Sequence, residues 1–140
     1  MATKEYSYAV GRRKETSAVV KLFPKGNGKF KVKLASGKEL ELKDYFGWNS
    51  HLYENAIMPL LILWEEYLTQ FDSEIVIKWW WVSGQSDAIK LWFARALIDW
   101  NTDLRSQLKP YGLLKRDPRI KERKKPGLKK ARKAPTWSKR

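Results

Sequence analysis

The chain has 140 residues, 43% of them hydrophobic, and a formal charge of +14, which suits one domain with a modest core. It has no cysteine and one histidine, His51; disulfides, thiolate metal sites and thiol nucleophiles are excluded, and imidazole chemistry has a single candidate. No apolar run reaches the roughly eighteen residues of a membrane span, and Lys4 and Glu5 stand ahead of Tyr6 to Val10 instead of a signal-peptide core. The expectation is a cytoplasmic protein with no membrane partner.

In chain order, a basic cluster, "GRRK" at Gly11 to Lys14, comes just before the first expected strand. Alternation of apolar and polar residues in "SAVVKLFP", "KFKVKL" and "KELELK" then predicts a β meander with one face in a core and one face wet or RNA-bound. Asn27-Gly28 in "PKGNGK" and Ser36-Gly37 in "ASGK" read as the hairpin turns between these strands, because glycine supplies the positive φ that tight turns need. The GNG is read as a hairpin and not as a phosphate cradle, since no helix start comes after it. Asp44 to Thr69 is helix-rich, with Pro59 in "IMPLL" expected to divide it into two short pieces.

"SEIVIKW" reads as a buried strand, Ile75 and Ile77 on one face, Val76 and Lys78 on the other. In the next helix, Ser83 or Ser86 is expected to cap the first turn and Asp87 to complement its positive end. Ile89, Trp92, Phe93, Ala96 and Leu97 form an apolar stripe that should cover the sheet. A further helix around Asp103 to Lys109 should stop near Pro110 and Gly112.

From Lys115 to Arg140 there are thirteen Lys or Arg against Asp117 and Glu122, a net of +11 that leaves only +3 for the first 114 residues. Pro118, Pro126, Gly127 and Pro135 oppose long helices there. Unpaired charge of that density cannot be buried in a core, so the tail is expected to be extended and disordered when free, and to be completed by a polyanion. Arginine offers a bidentate fork for phosphate and lysine a mobile point charge, with Leu128 and Trp137 as apolar anchors among them. The candidate RNA contacts are Arg12, Arg13 and Lys14 at the front, and Lys115, Arg116, Arg119, Arg123, Lys124, Lys125, Lys129, Lys130, Arg132 and Lys133 in the tail.

An enzyme would need its groups among scattered carboxylates, and no pair has acid/base or metal-ligand spacing. His51 in "NSHLYEN" reads as a surface or capping residue. We therefore expect no catalytic residue, no metal, no cofactor and no small-molecule substrate. From charge alone, a nucleic-acid-compacting protein is an alternative; it predicts similar affinity for any duplex.

"YAVGRRKETSAVVKLF", "PKGNGKF", "DYFG", "SGQSDAIK", "ARAL" and "LLKRDPRIKERKKPGLKKARKAPTWSKR" resemble, in order and spacing, the bacterial small-subunit ribosomal protein number nine family, over about Tyr8 to Arg140. The resemblance implies an α/β (α+β) sandwich, a mixed β-sheet packed by helices with a left-handed βαβ crossover, where chain physics alone would suggest a right-handed one. It implies a structural constituent of the small-subunit head, with a body at 1–114 on rRNA and an extended basic tail at 115–140. The partners it implies are small-subunit rRNA, neighbouring head proteins and P-site tRNA, the last touched by Ser138, Lys139 and Arg140.

One departure from that family concerns tryptophan. Trp79, Trp80, Trp81 and Trp92 stand where the family typically has glycine. Three readings compete: an extension of core or strand, a stacking platform for RNA, and glycine positions written as tryptophan because a reassigned UGA codon was translated with the wrong table. Four added indoles, each needing about 150 to 250 Å² of surroundings, favour the last. At position 92 the swap is expected to force the helix off the sheet.

Overall fold

The computed structural model describes residues 6–34, 36–47, 49–64, 66–78 and 81–137. The expectations placed on Trp79, Trp80 and the terminal Ser138, Lys139 and Arg140 lie outside the described residues.

Strand alternation dictates the core. β1 (Ser7–Arg13) pairs antiparallel with β2 (Thr16–Pro24), whose Thr16, Ala18, Val20 and Leu22 all point inward. β3 (Phe30–Lys33) buries Phe30 and Val32 and pairs antiparallel with β4 (Glu39–Glu41) across the expected Ser36-Gly37 turn. β5 (Phe71–Lys78) buries Phe71, Ser73 and Ile75, with Val76 and Lys78 exposed, as the period of two requires.

The sheet order is β1-β2-β5-β3-β4, antiparallel except for β3 beside β5, which run parallel. This corrects the meander: β2 and β3 are not neighbours, because β5 lies between them. Their connection bends around the start of β5 and does not close a hairpin. The Asp72 carboxylate accepts from the backbone N–H groups of Asn27 and Lys29 at 2.8 Å each, and Gly26 N–H donates to the Gln70 carbonyl at 2.8 Å. Gly26 is required by closeness: a Cβ there would sit 2.2 Å from Asp72 N. The loop thus caps β5, and Asp72 gives no signal of that role in the sequence.

The connection from β3 to β5 carries β4 and three helices, α1 (Leu42–Phe46), α2 (Ser50–Leu63) and α3 (Glu66–Gln70). Helix α2 runs unbroken through Pro59, against the expected division. Proline removes one donor and crowds the preceding turn, but Ala56, Ile57, Leu60 and Leu63 are buried on either side of it, and that burial outweighs the local penalty. Asn49 caps α2 by accepting from Leu52 N–H at 3.2 Å, and His51 is exposed in its first turn.

The long helix α4 (Val82–Trp100) packs on β1 and β2, with α2 against it, and the core lies between these layers. Its Ile89, Trp92, Phe93, Ala96 and Leu97 are all buried, as the stripe predicts. The expected capping does not occur. Trp81 is the N-cap residue and provides no side-chain cap, while Ser86 lies inside the helix, fully buried, donating to the Leu52 carbonyl at 2.8 Å. Asp87 stands beyond the first turn, so its charge meets side chains and not the helix end. After a 3₁₀ turn at Thr102–Leu104 comes the short α5 (Arg105–Leu108), and Leu108 and Leu113 close the core. Among the described residues no helix is long and apolar enough to cross a membrane.

Trp92 is buried to 0% exposure, with its ring 4.6 Å from that of Phe93. Contrary to expectation, α4 remains on the sheet. Gly11 makes this possible: a Cβ there would lie 1.8 Å from the Ala88 carbonyl oxygen and 3.0 Å from the Trp92 Cβ, so its absence admits the helix. The indole Nε1 has no hydrogen-bond partner, and an unsatisfied buried donor costs about 1 to 3 kcal/mol. If position 92 is glycine in the natural chain, Trp92→Gly will raise the midpoint of thermal unfolding. A loss of about 3 to 5 kcal/mol in chemical denaturation, the usual cost of emptying an aromatic site, would make the indole a native core element.

Candidate nucleic-acid interface

The basic cluster at Gly11 to Lys14 does not precede the first strand; it ends it. Period two sends Gly11 and Arg13 toward α4 and Arg12 outward, and Lys14, at φ 52°, begins the turn into β2. The neighbouring arginines therefore meet different surroundings. Arg12 is exposed, with no acidic partner among the described residues. Arg13, with its side chain only 13% exposed, is held between two carboxylates: Nε lies 3.3 Å from Asp87 Oδ2 and Nη2 lies 3.1 Å from Asp117 Oδ2. Its Nη1 also donates to the Arg119 carbonyl, and Arg116 donates to the Lys14 carbonyl at 3.4 Å.

Behind this clasp the helices supply support. Asn55 of α2 donates to Ser86 Oγ at 2.8 Å and to Asp87 Oδ1 at 3.1 Å, and accepts from Lys90 Nζ at 2.8 Å. Lys90 also pairs with Asp87 at 3.3 Å, one turn along α4. Asp87 is thereby held by Asn55 and Lys90 before it meets Arg13.

Asp117 is equally well fixed from the tail side. Arg119 forks onto its carboxylate at 2.7 to 3.1 Å, and the Arg119 N–H donates to Oδ1 at 2.9 Å. These bonds from Arg119, with the charges of Arg119 and Arg13, hold the Asp117 carboxyl well below the usual carboxylate range, and Asp117 in turn raises the Arg119 guanidinium. The clasp is accordingly ionised at neutral pH. The root of the basic segment is tied to the body at the junction of β1, α4 and residues 116–119.

Beyond that root the described residues contain no helix or strand. Glu122 pairs with Lys125 at 3.0 Å and Arg132 at 2.9 Å across a turn in which Gly127 takes φ 77°, and Lys129 N–H donates to the Lys133 carbonyl at 2.7 Å. Both acids of the segment are thus engaged by its own cations or by Arg13. Lys115, Arg123, Lys124, Lys129, Lys130 and Lys133 are exposed and have no carboxylate partner among the described residues. Ile120 and Trp137 are 68% and 83% exposed, apolar groups set among those charges.

The sequence-predicted contacts therefore divide. Arg12, Lys14, Lys115 and Arg116 gather near the clasp, the remaining tail cations extend from it, and Arg13 is turned inward. Sequence reasoning missed Asn55 and Lys90, whose participation depends on α2 packing against α4, and Tyr111, whose neighbours are brought to it only by the fold. Asp87 and Lys90 at i and i+3 were the one available signal. Among the described residues no cluster of acids or histidine could hold a metal.

Residues 11–140 match the family described as Ribosomal protein S9/S16. The chain is 46% identical over 140 residues to the small ribosomal subunit protein uS9c of Emiliania huxleyi, covering 100% of both. It is 49% identical over 137 residues to uS9 of Thermotoga sp. (strain RQ2), covering 95% of each, and 46% identical over 136 residues to a uS9 of Thermus thermophilus, covering 97% and 99%. With a match over nearly its whole length, the chain belongs to the ribosomal protein S9 family, structural ribosomal constituents and not enzymes.

Proposed function

We propose that this protein builds the head of the small ribosomal subunit by binding rRNA through its front basic cluster and its tail, and that the end of the tail contacts P-site tRNA. Supporting this is the charge asymmetry: a body of net +3 carries a segment of net +11 whose two acids are already engaged internally. The cations left over need phosphate, and folded RNA presents it in three dimensions. Neighbouring head proteins complete the surroundings of the body.

The boundary falls at 114. Leu113 is the last core residue and Leu114 packs half-buried against it, after which charge dominates. In this reading 1–114 is the body, 115–140 is an extended RNA-bound tail, and Arg12, Lys14, Lys115, Arg116, Arg119, Arg123, Lys124, Lys125, Lys129, Lys130, Arg132 and Lys133 face rRNA. The contribution of Arg13 is positional: it aims the tail root. Ser138, Lys139 and Arg140 reach the tRNA. The parallel pairing of β3 with β5 through three intervening helices makes that connection the crossover, and its left hand rests on the family resemblance alone.

Four outcomes test the proposal. Removing residues 138–140 should leave incorporation into small subunits intact while weakening tRNA retention at the P site; unchanged tRNA affinity would remove the contact role. Removal from Lys115 onward should impair incorporation itself, read by the protein retained after a high-salt wash. Asp117→Asn should free the tail root, seen as several-fold faster tryptic cleavage after Lys115 and Arg116 in the isolated protein. Because the folded carboxyl is depressed, the clasp's contribution is complete above the ordinary carboxylate pKa and is lost only as pH falls through the depressed value. Cleavage at the root relative to cleavage at the other Lys and Arg sites of the tail should therefore change little between pH 7 and pH 5.

A further inference from the structure

Between β1, α4 and the turn at 111–113 lies a cleft of about 160 Å³, lined by the cations Arg12, Arg13, Lys90 and Lys115, by Tyr111, and by the clasp carboxylates Asp87 and Asp117, whose charge is taken up by Arg13, Lys90 and Arg119. Small-molecule sites usually occupy about 300 to 1,000 Å³, so this one is too small for a cofactor and suits a single phosphate. Its charges are unequally engaged. Arg13 and Lys90 are tied to Asp87 and Asp117, whereas Arg12 and Lys115 have no acidic partner among the described residues. Tyr111 is 61% exposed at the mouth, set by the turn in which Gly112 takes φ 69°. A large aromatic ring left in solvent beside two free cations is the pairing that seats one nucleotide, its base on the ring and its phosphate on the charges.

We propose that this cleft seats one unpaired nucleotide of the bound RNA, with Arg12 and Lys115 on its phosphate and Tyr111 stacked on its base, Arg13 acting only to hold the walls in place. The inference rests on the RNA-binding reading and adds a specific subsite to it. It distinguishes a shaped site from diffuse attraction, because a stacked ring responds to the loss of its aromaticity and not to salt.

The test is filter binding of the full-length protein to naked small-subunit rRNA across a salt series, comparing four variants. Tyr111→Ala should weaken binding about tenfold with the salt slope unchanged, and Tyr111→Phe should restore it. The double variant Arg12→Ala, Lys115→Ala should also lose about tenfold and flatten the salt slope by about 1. The charge-matched control Lys29→Ala, Lys43→Ala, two exposed lysines outside the cleft, should lose less. All the replaced side chains are at the surface, so thermal unfolding should not shift. If Tyr111→Ala binds like the wild type, or the two double variants weaken equally, there is no such seat, while binding by the wild type still stands. If the wild type itself shows no salt-dependent binding, the underlying RNA reading fails.

Discussion

The approach of α4 to β1 at Gly11 governs both the core and the tail. Without a side chain at that position, the helix backbone comes close enough that the Ala88 carbonyl occupies the space a Cβ would need. Chain geometry alone then sets the neighbouring contacts. Arg13, two residues along the same strand face, is aimed at α4, and Asp87, next to Ala88 in the helix, is there to meet it. Arg95 donates to the Val10 carbonyl at 3.0 Å and secures the same pair of elements one residue earlier on β1. The clasp on the tail root is therefore a product of backbone closeness in the core, not of an independent surface attraction. Isolated exposed ion pairs contribute about 0 to 1 kcal/mol; this one is half-enclosed, shared by three charged groups and backed by Asn55, which is why it can direct a chain segment.

Strands β2 to β5 and the α4 stripe were legible because burial on one face imposes a period, and a period survives in a single sequence; β1 was not read as a strand, since Gly11 and the charges of Arg12 and Arg13 interrupt its apolar pattern. Sheet order was not. Whether "PKGNGK" closes a hairpin or wraps the start of β5 depends on Asp72, forty-five residues beyond Asn27, and no local pattern encodes that contact. Pro59 misled for a related reason: its local penalty is visible in the sequence, while the burial of Ile57, Leu60 and Leu63 that outweighs it is not. Ser83 and Ser86 resembled caps, yet both lie inside α4 and Ser86 is buried against α2, a position decided by helix packing.

At the interface, charge was legible and its division of labour was not. Three successive cations at 12–14 look equivalent on the page. Strand alternation separates them, so that Arg12 stays free, Arg13 becomes internal, and Lys14 turns the chain. Asp117 looked like a minor dilution of the tail's charge, and is instead the group that attaches the tail to the body. The sheet shows the same separation: Val10, Val19 and Val76 stand side by side in register on its outer face, while their inward neighbours fill the core.

The clasp also bears on the energetics of the RNA-bound tail proposed above. Fixing the backbone of one residue costs about 1 to 2 kcal/mol, a cost that reduces affinity unless the residue is already held before binding. Residues 116–119 are held by Arg13, Lys14 and Arg119 in the free protein, so their ordering is complete in advance, and the direction in which the tail leaves the body is fixed with them. The 21 residues from 120 to 140 can extend at most about 75 Å, and where such a chain ends depends strongly on where it starts. A tethered root thus confines a basic segment to a limited volume, and in the proposed reading the phosphates within that volume, not bulk polyanion, are its effective partners.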